Sequence, residues 1–154
     1  MRNNISFDVI DKITDEIKKD KIQKIVVGAL IVVEKDSILL LKRAENDFMG
    51  GLVELPSGTL EPNEDLIKGL IREVKEETNL DVESVDSFIG TFDYVSGSGK
   101  KTRQVNLRVT TSNLDVKLSC EHEKYYICSV GSNEFKNLNI STKTRDIISK
   151  AISI

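Results

Sequence analysis

The chain has 154 residues, of which 39% are hydrophobic and 31% charged, the composition of one soluble globular domain large enough for its own core. A net charge of -3 and an isoelectric point near 5.3 exclude a general polyanion binder, so no nucleic-acid polymer is expected as a partner. The longest apolar run, Ile25 to Val33, contains Gly28 and is far too short to span a bilayer, and charges interrupt the N-terminal isoleucines; no membrane partner is expected, and the location reads as cytoplasmic.

Residues 6 to 19 form the first predicted element, a surface helix with Phe7, Ile10, Ile13 and Ile17 on one stripe. The stripe fits two roles: cover for one edge of the domain, or a contact between two copies in a homodimer. Ile25 to Glu34 follows as a β-branched, largely apolar run and predicts a buried strand. A turn at Lys35-Asp36-Ser37 leads into a second strand, Ile38 to Lys42, and the pair predicts a hairpin. Glu45 to Pro56 is mostly loop, with Gly50 and Gly51 as its flexible point and a short strand from Val53 to Leu55.

Gly58 to Leu80 reads as a turn followed by an acidic amphipathic helix. Asn63 is the predicted N-cap, and Glu64 and Asp65 place negative charge in the first turn, where the helix dipole favours it. Leu66, Ile67, Leu70, Ile71 and Val74 recur at helical spacing and predict one buried face. Asn79 sits where the helix should stop, because Asn tolerates a left-handed cap. Gly69 inside the helix costs about 1 kcal/mol against Ala, which predicts a close approach by another backbone, that of a sheet.

The other face of that helix carries Glu73, Glu76 and Glu77 at i, i+3 and i+4, so their carboxylates converge. Each like-charge pair weakens an isolated helix by about 0.2–0.5 kcal/mol. Arg72 can relieve Glu76 at i+4 but cannot neutralise all three. Two readings follow. One is a solvated acidic face. The other is a set of ligands for a hard divalent cation such as Mg²⁺, which takes carboxylate oxygens and leaves its remaining positions to water and phosphate.

Val82 to Tyr94 and Arg103 to Thr111 predict two strands, joined by a glycine- and serine-rich hairpin loop from Ser96 to Lys101. Tyr125 to Val130 predicts another strand and Ser132 to Phe135 a helical turn. Ser141 to about Ser153 predicts a terminal helix, capped by Ser141, with Ile147, Ile148, Ala151 and Ile152 as its apolar face. Cys120 and Cys128 form no CxxC pair and make a poor zinc set with the single His122, so they read as reduced thiols. The order of elements is that of an α+β protein with a mixed sheet between helices.

The stretch from Gly58 to Leu80 resembles the Nudix box: Gly, five residues, Glu, seven residues, Arg-Glu, an aliphatic, any residue, Glu-Glu, any residue, Gly, an aliphatic. It matches at Gly58, Glu64, Arg72, Glu73, Val74, Glu76, Glu77 and Leu80. It departs at Asn79, where Asn replaces the last Gly at a position that Asn tolerates. The resemblance extends upstream through Leu39 to Arg43 and Gly51 to Gly58, where Ser57 replaces the first Gly of the family's Pro-Gly-Gly, and it covers most of the chain from Lys24 onward. It implies a Nudix-like α/β/α sandwich over residues 1–154, with the helix at 6–19 as an addition that the family core does not require.

The resemblance also implies hydrolysis of a diphosphate linked to another moiety, with Mg²⁺ or Mn²⁺ as cofactor. Carried over by position, Glu73, Glu76 and Glu77 are metal ligands and the carbonyl of Ser57 is a further one. Bound metal would neutralise phosphate oxygens that otherwise repel an incoming nucleophile. One of the three glutamates takes the proton of the attacking water, with Glu64 in support, and Arg72 holds a glutamate carboxylate in place. Some relatives recruit an acid from a later loop. Glu121 is the candidate here, with Glu123 behind it, against a plain solvated loop.

Arg43 matches an arginine that the family often places near the substrate, or else ends its strand in solvent. Lys100, Lys101 and Arg103 form either a mobile basic loop that contacts phosphate or a hairpin tip facing away. The expected substrate is a small nucleotide, a nucleoside triphosphate with oxidised purines included, cleaved to monophosphate and pyrophosphate. The alternatives are ADP-ribose or another sugar nucleotide, and a nucleotide-sensing binding module on the same scaffold.

Overall fold

The structure, a computed structural model, describes residues 1–47 and 49–152. Phe48 of the predicted loop and the predicted helix end at Ser153 lie outside the described residues. In chain order the elements are β1 (Arg2–Asn3), α1 (Phe7–Lys19), β2 (Lys24–Ile31), β3 (Ser37–Arg43), β4 (Val53–Glu54) and β5 (Ser57–Thr59). They continue with α2 (Leu66–Thr78), β6 (Val82–Val95), β7 (Lys101–Thr111), β8 (His122–Ser129), α3 (Asn133–Asn137) and α4 (Thr142–Ala151).

The strands divide into two sheets. A five-stranded mixed sheet has the order β1-β6-β7-β2-β5, and a three-stranded antiparallel sheet has the order β4-β3-β8. The predicted hairpin of β2 with β3 is therefore corrected. Beyond the end of β2 the chain meets β3 through the bridge between Val32 and Ile38 and the Val33 N–H donating to the Ser37 carbonyl, and the two strands then diverge, each to pair with distant strands. Both carry apolar residues on both faces because both faces are covered. Val27, Ala29, Ile31, Leu39 and Leu41 enter one cluster, with residues of α1 and α2. Leu30, Ile38 and Leu40 enter a second cluster, with residues of α3 and α4. The layers run helices, sheets, helices, the α/β/α arrangement expected from the sequence.

Each helix end follows from local chemistry. Ser6 caps α1, accepting from the backbone N–H of Val9, and α1 sends Ile13 into the first cluster. Phe7 is not part of that buried stripe: it lies 87% exposed, while Ile5 and Val9 pack against the cluster in its place. Asp65, not Asn63, caps α2, accepting from the N–H of Lys68 at 3.0 Å. Asn63 instead occupies a left-handed turn with φ of 63°, which leaves Glu64 ahead of the helix rather than in its first turn. Asn79 closes α2 in the left-handed conformation, with φ of 66°, as its side chain predicts. At Gly69 a Cβ would stand 2.3 Å from Leu60 Cδ1, so the close neighbour is a side chain of the preceding turn and not a sheet backbone.

Among the described residues no helix is long and apolar enough to cross a membrane.

Candidate functional site

The site lies where the two sheets meet α2. β3 pairs with β4 on one side and with β8 on the other. That register puts Glu54 opposite Leu41 and His122 opposite Arg43. His122 Nε2 reaches Glu54 Oε2 at 2.9 Å, and Arg43 Nε lies 3.4 Å from the same oxygen. From the other sheet, β5 brings Ser57 and Gly58 against α2. The N–H of Ser57 donates to Glu77 Oε1 at 2.7 Å. A Cβ on Gly58 would fall 1.9 Å from Glu73 Oε2, so the missing side chain is what admits the Glu73 carboxylate.

Three side chains converge from these elements. Ligand-type atoms of Glu77, Glu121 and His122 all lie within 4.8 Å of one another. Glu77 is 5% exposed, and burial pushes its carboxyl up to about 9 from the ordinary 4.5. The negative fields of Glu54, Glu121 and Glu73 act in the same direction, and the Ser57 N–H only partly opposes them. Glu73 is raised too, chiefly by burial, with Arg72 pulling the other way. Among the described residues the buried His122 Nδ1 has no hydrogen-bond partner, and it lies 3.8 Å from Glu77 Oε2. The buried Glu77 carboxyl and the exposed Glu121 carboxylate beside an unpartnered buried nitrogen form a donor set that fits a divalent cation.

Arg72 organises the outer carboxylates. It donates to both oxygens of Glu64 at 2.8 Å, to Glu73 at 2.8 Å, to Glu76 at 3.2–3.3 Å and to the carbonyl of Thr59 at 3.2 Å. Glu64 is thereby drawn well below the usual carboxylate range, to about 2. Glu76 is the most exposed of the three box glutamates, and Arg72 is its ion-pair partner. Glu123, the second candidate acid of this loop, pairs with Lys42 at 3.3 Å.

The basic loop is arranged differently from its reading as a phosphate contact. Arg103 is buried, donating to Asp93 at 2.7 and 2.9 Å and to Asp20 at 2.8 Å. Lys101 Nζ donates to the carbonyl of Asp20 at 2.8 Å. Lys100 is exposed and, with Ser98, lines a groove of about 790 Å³ between α1 and the Glu61–Asp65 turn. None of Glu77, Glu121 and His122 lines that groove. The reason is local: Asp20 ends α1 and Asp93 sits opposite Arg103 in the β6–β7 ladder, so the arginine finds both partners at home.

Sequence reasoning missed Glu54 and His122. Glu54 stands in Leu-Val-Glu-Leu-Pro, where a lone acid between apolar residues was a usable signal. His122 was weighed only beside the cysteines. Cys120 is exposed, Cys128 is buried, and both are free thiols.

A sequence model of the family described as NUDIX domain matches residues 23–143. The chain is 42% identical to an ADP-ribose pyrophosphatase of Methanocaldococcus jannaschii over 62 residues, 40% of this chain and 36% of the relative. It is 41% identical to the human 8-oxo-dGDP phosphatase NUDT18 over 58 residues, 38% of this chain and 18% of the relative. The chain thus spans well under half the length of these curated relatives. Among solved structures, the MutT protein from Methanosarcina mazei Go1 superposes with a TM-score of 0.72 at 32% identity, over 82% of this chain and 91% of that one.

Proposed function

This chain belongs to the NUDIX domain family, and from that premise we propose that it is a divalent-cation-dependent pyrophosphohydrolase acting on a nucleotide-linked diphosphate, with residues 1–154 as one hydrolase domain. The observation that carries this reading is the convergence of the buried Glu77 and the exposed Glu121 with His122, where Glu73 and Glu54 add negative charge. Glu73, Glu76, Glu77, Glu121 and the carbonyl of Ser57 would hold the cation. A bound Mg²⁺ or Mn²⁺ supplies charge neutralisation at the diphosphate oxygens.

The protein's own groups do the rest. Attack on phosphorus needs a carboxylate to take the proton of the attacking water, and that role falls within the set Glu73, Glu76 and Glu77. Arg72 is a positioning residue: it ties Glu64, Glu73 and Glu76 to one guanidinium and so holds the acidic face in register. Arg43, which pairs with Asp47 and Glu54, is the cation we assign to a substrate phosphate. Tyr94 is close enough for its hydroxyl to feel both Glu54 and Arg43, and it offers a ring to a base or ribose.

For the substrate, we read a nucleoside triphosphate, oxidised purines included, cleaved to the monophosphate and pyrophosphate. The name of the human relative, an 8-oxo-dGDP phosphatase, supports the oxidised-purine end of that class. The name of the archaeal relative, an ADP-ribose pyrophosphatase, favours the second reading, ADP-ribose or another sugar nucleotide. The test is a screen of nucleoside triphosphates, their 8-oxo forms, sugar nucleotides, ADP-ribose and dinucleoside polyphosphates with purified protein and Mg²⁺, reading phosphate and pyrophosphate release. Pyrophosphate from a triphosphate is the expected result. Binding without turnover of any compound overturns the hydrolase in favour of a nucleotide-sensing module.

A further inference from the structure

The sequence contains one histidine, and the fold buries it at the centre of the acidic pocket. Its two nitrogens have different surroundings. Nε2 lies 2.9 Å from Glu54 Oε2. In the tautomer that donates from Nε2 to the Glu54 carboxylate, the ring carries its lone pair on Nδ1. Nδ1 has no hydrogen-bond partner and is 3.8 Å from Glu77 Oε2, beyond hydrogen-bonding range. The His122 side chain is 1% exposed, so water does not compensate this lone pair from the surface. The buried imidazole therefore leaves a lone pair on Nδ1 facing the Glu77 carboxyl, with Glu121 close by, and a cation placed there would satisfy it.

We propose that His122, through Nδ1, completes with Glu77 and Glu121 a mixed nitrogen and oxygen site that takes a first-row transition-metal ion, such as Mn²⁺ or Co²⁺, in preference to Mg²⁺. The proposal rests on the reading of the acidic pocket as a cation site and adds to it a ligand and a class of ion. Two features carry it. The ligand-type atoms of Glu77, Glu121 and His122 lie mutually within 4.8 Å. Behind the ring stands Glu54, and a histidine that donates its far N–H to a carboxylate is the usual support of a metal-bound imidazole, because it sets the tautomer and raises the basicity of the near nitrogen. Glu54 is itself held by Arg43, so the relay runs from Arg43 through Glu54 to His122 across the three strands of one sheet. Imidazole nitrogen suits transition metals, whereas Mg²⁺ keeps to oxygen.

Pulsed electron paramagnetic resonance on tag-free protein loaded with one equivalent of Mn²⁺ tests this, because no second histidine can supply an imidazole signal. The expected result is ¹⁴N modulation of imidazole type in the wild type and none in His122→Gln. That variant should also bind Mn²⁺ at least about tenfold more weakly, with a much smaller change for Mg²⁺, measured by calorimetry. Mn²⁺ bound with no nitrogen coupling overturns the histidine ligand and leaves the carboxylate site standing. Nitrogen coupling that persists in His122→Gln overturns it too. Protein that binds neither Mn²⁺ nor Mg²⁺ overturns the cation reading itself, and this inference with it. The wild-type spectrum decides even if His122→Gln does not fold.

Discussion

At Gly58 a missing side chain admits another residue's charge. Its backbone needs no special dihedral, yet a Cβ would overlap the Glu73 carboxylate. Gly58→Ala should therefore lower stability by about 1–3 kcal/mol, the range for forcing extra volume into a packed site. In a double-mutant cycle with Glu73→Ala, urea unfolding should show a coupling of about 0.5–3 kcal/mol. Additive effects would mean that the two positions do not compete for the same space. Glu77 is the second residue whose surroundings make a sharp expectation. In Glu77→Gln the amide oxygen can still accept from the Ser57 N–H, so the local bond survives while the group that can ionise to hold a cation is lost. The fold should be kept and kcat should fall by about a hundredfold or more. Thermal unfolding in added Mg²⁺ should show a gain in the wild type that the variant lacks. Near-normal turnover in Glu77→Gln would remove this glutamate from the chemistry.

On the scale of elements, α2 is held at its start by Asp65 and along one side by Arg72, which reaches back to Glu64 in the preceding turn. This tie has a pH signature. The guanidinium holds the Glu64 carboxyl at about 2, against the ordinary 4.5. The folded chain therefore takes up that proton less readily than the unfolded chain does. The stability it contributes is fully present above pH 4.5 and is lost as the pH falls through about 2. Asp93, lowered by Arg103, adds an acid slope of the same sign. Glu64→Gln should be less stable than the wild type near neutral pH, and its urea midpoint should fall less steeply through the acid window. Parallel midpoint curves for the two proteins would show that the tie does not survive in solution.

On the scale of the molecule, the β6–β7 ladder ties α1 to the sheet. One end lies beside α1, where Arg103 bonds Asp20 at the helix terminus and Asp93 on the neighbouring strand. α1 is thus joined to the sheet both by Ile13 in the core and by a buried, two-sided ion pair. Hydrogen bonds to charged partners contribute about 1.5–3 kcal/mol each when one side is removed. The two aspartates are each about two-fifths exposed and regain water, so Arg103→Ala should cost roughly the lower end of that range, about 1–2 kcal/mol. Hydrogen exchange should speed up along α1, and KM for the nucleotide should stay unchanged. A raised KM with unaltered stability would return Arg103 to the role of phosphate contact that its place in a basic loop predicts.

Sequence alone determined the chemistry of α2, because everything that chemistry needs is local. Glu73, Glu76 and Glu77 are placed on neighbouring turns by helical spacing, Arg72 by its place in the same turn, and the end of the helix by the tolerance of Asn79 for a left-handed backbone. The box pattern carried the family and the layer architecture for the same reason. Tertiary structure decided what surrounds that helix. β2 and β3 look like a hairpin in sequence, since both are apolar runs around a short turn, but apolar runs do not say which strand lies beside them, and the two part into separate sheets. Arg103 reads as a free cation until the fold sets Asp20 and Asp93 beside it. Glu54 and His122 are 68 residues apart and meet only because β4 and β8 both pair with β3. A single acid and a single histidine carry no periodic signal of their own. Their meaning comes from strand pairing, a long-range choice set by which faces can be buried together, and that pairing set an isolated histidine between Glu54 and Glu77.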